Sequence, residues 1–163
     1  MVQGVIINDD NCIVNTNPAT GEIISYVKCT PPAVVDTIVT QAKQVQSFWA
    51  YDNTLDERIN LLKKGLHHIK TKSEEFETLI VTEMGKPIKE AKDEIEFATT
   101  GKLEENDGYM DLLHNSLKPQ TFNNSVIVRH SIGVVVILSP WNFPVDEILL
   151  LALPSLASGN TGM

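Results

Sequence analysis

The sequence predicts an α/β fold: a short N-terminal hairpin, a layer of amphipathic helices, a bridging strand, and one strand–loop–helix unit of a parallel sheet. Three observations carry this. Apolar residues recur at intervals of three and four between positions 30 and 117, the period of helices with one buried face. From Ser125 the period falls to two, with Val126, Val128 and His130 alternating with Ile127 and Arg129. After Gly133 the run 134–138 is apolar throughout, which suits a strand covered on both faces.

In chain order, residues 12–14 and 22–27 are β-prone and flank Asn17-Pro18-Ala19-Thr20-Gly21-Glu22, where proline and glycine favour a turn. A hairpin follows. Thr30 before Pro31 suits a helix N-cap and first turn, and Val35, Ile38, Ala42, Val45 and Trp49 form the stripe behind it. Thr54-Leu55-Asp56-Glu57 fits a capping box, with Leu55, Ile59, Leu62, Leu66 and Ile69 on one face. A helix from Thr71 or Ser73 carries Phe76, Leu79 and Ile80 and stops at Gly85-Lys86-Pro87. Another, with a weaker stripe, is predicted from Ile88 to about Leu117. The helical layer thus spans 30–117, the bridging strand 125–131 and the strand–loop–helix unit 133–160. Its helix is expected over 143–158, closed by Gly159-Asn160. No returning parallel strand is expected, which leaves the unit unfinished.

Composition excludes several functions. The chain has 163 residues, 42% hydrophobic and 21% charged, as in ordinary globular proteins. Its 13 basic residues are interleaved with 21 acidic ones for a net charge of −8, which argues against a nucleic-acid partner. The first ten residues lack the basic and long apolar stretches of a signal peptide, and no run is long enough to span a membrane, so the expected location is cytoplasmic. Cys12 and Cys29 are read as reduced, neither beside a histidine that would make it a nucleophile. Asn123-Asn124-Ser125 matches a glycosylation sequon that means little without a secretory signal. His67-His68 in a charged helix read as solvated or packed, so no metal site is expected. The pairs Glu74-Glu75, Glu94/Glu96 and Glu104-Glu105 read as helix surface, and Arg129 as an exposed strand residue. No glycine lies between 138 and 148, so the turn after the apolar strand is not a phosphate-cradling fingerprint.

Ser139-Pro140-Trp141-Asn142-Phe143-Pro144 directly follows the apolar strand. On spacing alone, Asn142 reads as the cap of a helix entering at Pro144. The wording of the loop, however, resembles the substrate-side loop of the aldehyde dehydrogenases. So do Asn17-Pro18-Ala19-Thr20-Gly21-Glu22, Glu83-Met84-Gly85-Lys86-Pro87, and the segment from Leu153 to Thr161 ending in Gly159-Asn160-Thr161. The resemblance spans Asn17 to Thr161 and implies an aldehyde dehydrogenase-like fold, with residues 1–163 as the N-terminal portion of its Rossmann-like cofactor domain. It implies an enzyme that oxidises an aldehyde to a carboxylic acid with NAD or NADP, with wording similar to semialdehyde-type members. Within it, Asn142 would hold the aldehyde oxygen, while Ser139, Pro140, Trp141 and Asn142 line the nicotinamide side of the cofactor cleft. The implied partners are a small-molecule aldehyde and, when complete, further copies in a homo-oligomer. The family's ribose-binding Lys-Pro, later glycine motif, general-base Glu, catalytic Cys and oligomerising strand have no counterpart here. The chain alone is therefore expected to be inactive, and the alternative is a non-catalytic interaction module that associates with a full-length homologue.

Overall fold

The computed structural model describes residues 11–103 and 108–163. The reading of the first ten residues, the Glu104-Glu105 pair and the middle of the helix expected to reach Leu117 fall outside the described residues.

The N-terminal hairpin forms as expected. β1 (Cys12–Thr16) pairs antiparallel with β2 (Ile23–Lys28). The turn is set by Asn17, whose Oδ1 accepts from the Ala19 N–H at 2.8 Å, and by Gly21 at φ 76°. Cys12 stands opposite Lys28, whereas the Cys29 N–H donates to the Asn11 carbonyl. Strand alternation therefore sends the two thiols to opposite faces, and no disulfide joins them.

Helix α1 (Pro32–Ser47) is opened by Pro31 without a side-chain cap, so Thr30 does not serve as one. Proline's fixed φ already suits the first turn. After a π-type turn at Phe48–Asp52, α2 (Leu55–Lys70) starts with the predicted capping box. Glu57 N–H donates to Thr54 Oγ1 at 3.2 Å, and Glu57 Oε2 accepts from the Thr54 N–H at 2.7 Å. α3 (Ser73–Met84) ends at Gly85, which takes the left-handed φ of 74° that favours glycine.

The long helix predicted after Ile88 is broken. α4 (Ile88–Glu96) passes into a π-type turn at Phe97–Gly101, and α5 (Tyr109–Leu117) begins after Gly108. Thr99 Oγ1 bonds back to the Ile95 carbonyl at 2.7 Å within the π-type turn, and Gly108, extended at φ −63° and ψ 161°, separates α5 from the helical residues before it.

Two further expectations are corrected. The strand predicted over 125–131 is only β4 (Ser125–Ile127), paired antiparallel with β3 (Gln120–Phe122) around Asn123 at φ 53°. Residues 128–130 are exposed and lie outside any strand. The parallel unit also closes. β5 (Val134–Val135) leads through a loop into α6 (Asp146–Ala157), shorter than the expected 143–158, and β6 (Thr161–Gly162) returns parallel to β5. Backbone bonds from Thr161 N to Gly133 O, Met163 N to Val135 O and Ile137 N to Met163 O carry the ladder past the assigned residues.

The main core joins Ile59 and Leu66 of α2 to Met110 of α5 and to Leu153 and Ala157 of α6. A second cluster joins Ile80 of α3 to Ala91 and Ile95 of α4. The first cluster seats the body of α6, and the second lies beneath its N-terminal end through Val145.

Candidate active site

The loop between β5 and α6 leaves the carboxyl end of a parallel strand, where open α/β sheets form ligand crevices. Ser139 is half-buried, whereas Pro140, Trp141 and Asn142 are exposed, Trp141 at 80%. Trp141 and Pro144 border a hollow shared with Phe76, Leu79, Glu83 and Met84 of α3, so one side of the loop leans on that helix.

Asn142 does not cap α6. The first amides of the helix are satisfied from another element: Glu94 Oε1 of α4 accepts from the Val145 N–H at 3.0 Å and the Asp146 N–H at 3.3 Å. A carboxylate here also meets the positive end of the helix dipole. Glu94 is therefore not helix surface, as its neighbour Glu96 is; its side chain has no solvent exposure. The Asn142 side-chain amide makes no hydrogen bond among the described residues, while its backbone carbonyl accepts from Lys86 Nζ at 2.8 Å.

Lys86 completes this arrangement. Its ammonium pairs with Glu94 Oε2 at 2.6 Å and lies 3.9 Å from the centre of the Phe143 ring. Sequence reading treated Glu83-Met84-Gly85-Lys86-Pro87 as a helix stop, and neither Lys86 nor Glu94 carried a signal of contact with a loop about 50 residues away. A second lysine, Lys102, pairs with Asp146 in the first turn of α6 and stands 4.7 Å from the Phe97 ring. Burial, reinforced by the Asp146 charge, pushes the nearby Tyr109 hydroxyl above its ordinary value of 10.0.

The other end of the unit is fixed by side chains that cap backbone. Arg58 Nε donates to the Ala157 carbonyl at 2.9 Å, and its Nη1 donates to those of Ala50 and Asn53 at 3.1 and 2.5 Å. Burial lowers the Arg58 pKa, yet a guanidinium stays charged. Asn160 Oδ1 accepts from the Ile132 and Gly133 N–H groups, which draws the chain after α6 alongside β5.

The loop from Ser139 to Asn142 is thus open to solvent over Pro140, Trp141 and Asn142. A phosphate has no place at this helix N-terminus, because Glu94 already fills it with negative charge. His67 and His68 are exposed on α2, and no helix among the described residues is long and apolar enough to cross a membrane.

The sequence pattern described as the aldehyde dehydrogenase family matches residues 6–163, nearly the whole chain. The chain belongs to the aldehyde dehydrogenase family. It is 31% identical over 157 residues to the mitochondrial succinate-semialdehyde dehydrogenase of Arabidopsis thaliana, with 94% of this chain and 29% of that aldehyde dehydrogenase covered. It is 29% identical over 151 residues to an NADP-dependent D-glyceraldehyde dehydrogenase of Thermoplasma acidophilum, with 89% of this chain and 29% of the relative covered. Among solved structures, a lactaldehyde dehydrogenase superimposes at a TM-score of 0.82 with 25% identity, over 95% of this chain and 32% of that one. An NAD-dependent benzaldehyde dehydrogenase of Corynebacterium glutamicum gives 0.80 with 26% identity, over 98% and 35%. The architecture is accordingly that of an incomplete aldehyde dehydrogenase-like α/β fold, and the chain spans about a third or less of the length of these relatives.

Proposed function

We propose that this chain supplies the substrate-oxygen side of an NAD(P)-dependent aldehyde dehydrogenase, with Asn142 donating its side-chain amide to the oxygen of the aldehyde. The observation that carries this is the division of labour at α6: Glu94 takes the capping role, so the exposed Asn142 amide remains available. Oxidising an aldehyde by hydride loss requires a nucleophile to add to the carbonyl first, which places negative charge on oxygen. An amide donates to that charge without titrating, and a donor fixed in advance stabilises it without reorganising. Ser139, Pro140, Trp141 and Asn142 form one wall of the nicotinamide cleft in this reading, and NAD or NADP, when bound, accepts the hydride.

The named relatives support a semialdehyde or another small aldehyde as substrate, with either cofactor. A homo-oligomeric assembly and a cytoplasmic location belong to the same proposal. The chain by itself is inactive in this reading: its two cysteines lie in the N-terminal hairpin and just beyond β2, not in the loop. An alternative role, association with a full-length homologue, is favoured by the apolar edge at Ile132 and Leu138, each 87% exposed.

The test is a chimera in which residues 11–163 replace the matching segment of the Arabidopsis relative. A folded chimera that forms NADH or NADPH from succinate semialdehyde supports the proposal. One that folds and binds cofactor without turnover contradicts it. The 163-residue chain alone should show no turnover and, without the family's ribose-binding Lys-Pro and later glycine motif, no micromolar affinity for NAD or NADP by calorimetry.

A further inference from the structure

Lys86 and Glu94 lie far from the loop in sequence, yet together they touch four of the five residues from Asn142 to Asp146. Lys86 holds the Asn142 carbonyl and the Phe143 ring, and Glu94 holds the Val145 and Asp146 amides. The residue between them, Pro144, has no N–H to offer. An ammonium has three donors, and here Glu94 Oε2, Asn142 O and the Phe143 face receive them. Both side chains are almost fully removed from water, at 7% and 0% exposure. A buried pair of this kind is poor evidence for stability alone, because desolvating two charges offsets most of their attraction, but it is effective at fixing one arrangement.

We propose that Lys86 and Glu94 are positioning residues that set the direction of the Asn142 amide. Lys86 fixes the carbonyl on one side of the Asn142–Phe143 peptide link, and Glu94 anchors the helix entry three residues on. The Asn142 side chain branches immediately before the held carbonyl and is itself left unbonded among the described residues. This deepens the proposed oxyanion role and rests on it for its purpose, though not for its measurement.

The test follows backbone order in the 163-residue chain by nitrogen-15 relaxation, together with thermal unfolding. In the unsubstituted chain, order parameters at Asn142 and Phe143 are expected near ~0.85, the value of rigid backbone, and in Lys86→Met they should fall below ~0.6 while α2 stays rigid. The double variant Lys86→Met/Glu94→Gln removes both charges, so it should regain melting temperature relative to Lys86→Met and keep the mobile loop, because Asn142 O has still lost its donor. Lys86→Arg, which keeps a cationic donor, should recover part of the order. If Lys86→Met fails to fold, the double variant and Lys86→Arg carry the same comparison. Loop order unchanged in Lys86→Met, or restored in the double variant along with its melting temperature, would overturn the proposal. Because the readout is loop order and not turnover, an Asn142→Ala chimera with an undiminished rate would remove the oxyanion reading and leave this result standing.

Discussion

Asn160 uses both ends of its amide to hold the last turn of α6 against the start of β5. Its Oδ1 accepts from Ile132 N at 2.6 Å and Gly133 N at 3.0 Å, and its Nδ2 donates to Ser155 O and Ser158 Oγ at 3.1 and 2.9 Å. Asn160→Ala strands two backbone donors in a half-buried setting and should cost about 2 kcal/mol or more, measured by denaturant unfolding. Glu57 gives a pH signature of a different kind. Hydrogen bonds from the Thr54 backbone and then its side chain hold the Glu57 carboxyl below its ordinary value of 4.5. Its contribution is therefore fully present above that value and is lost as pH falls through the lower folded-state value. The stability difference between the native chain and Glu57→Gln should consequently hold constant above 4.5 and shrink as pH falls below it, and a difference that stays constant on acidification would contradict the capping role. At this scale the loop wording pointed to Asn142, but spacing alone could not separate an oxyanion donor from a cap. The residue that does cap α6, Glu94, sits on another helix and reads locally as one more surface carboxylate. Only tertiary packing puts it beneath Val145.

Helix starts and stops were legible where their chemistry is local. Thr54 with Glu57 is a self-contained box, and Gly85 is a left-handed stop that any Cβ would strain, with Pro18 Cγ 3.1 Å from where that Cβ would stand. The π-type turns at Phe48–Asp52 and Phe97–Gly101 were not legible, because they keep the apolar pattern of a helix while shifting its phase. β6 was missed for another reason: two residues, Thr161 and Gly162, have no alternation to read, and Asn160 brings them to β5. Gly159 marks the junction. It has φ 91°, and a Cβ there would lie 3.2 Å from the Ala50 backbone and 3.5 Å from Ser131 Cβ. Gly159→Ala should destabilise by about 1–3 kcal/mol through strain, and should loosen the Gln46 bonds to Gly159 O and Ser131 Oγ. At the centre of the core, Leu66→Ala should cost about 2–5 kcal/mol in the same unfolding measurement, since Leu66 is 1% exposed between α5 and α6.

Across the whole molecule, the helical layer holds the α6 unit at both ends, through Glu94, Lys86 and Lys102 at the loop and through Arg58 and Gln46 beyond the helix. The two-stranded parallel sheet it supports has its other edges unpaired among the described residues, with Ile132, Val136 and Leu138 exposed beside them. Unpaired apolar edges invite pairing with other chains. Sedimentation velocity should accordingly show the 163-residue chain self-associating as concentration rises, and a single monomeric species throughout would contradict it. The general class of fold was readable because the change of period from helical to alternating to continuous apolar is a property of long segments. The extent of the sheet was not, because it depends on which strands stand beside residues 134–138. The proposed function rests finally on one amide. The most direct measurement is kcat for Asn142→Ala in the chimera with the Arabidopsis relative, at saturating aldehyde and cofactor. A fall of about 10²-fold or more, with cofactor binding retained, is the predicted result for a lost oxyanion donor. An unchanged kcat would return Asn142 to an ordinary loop residue.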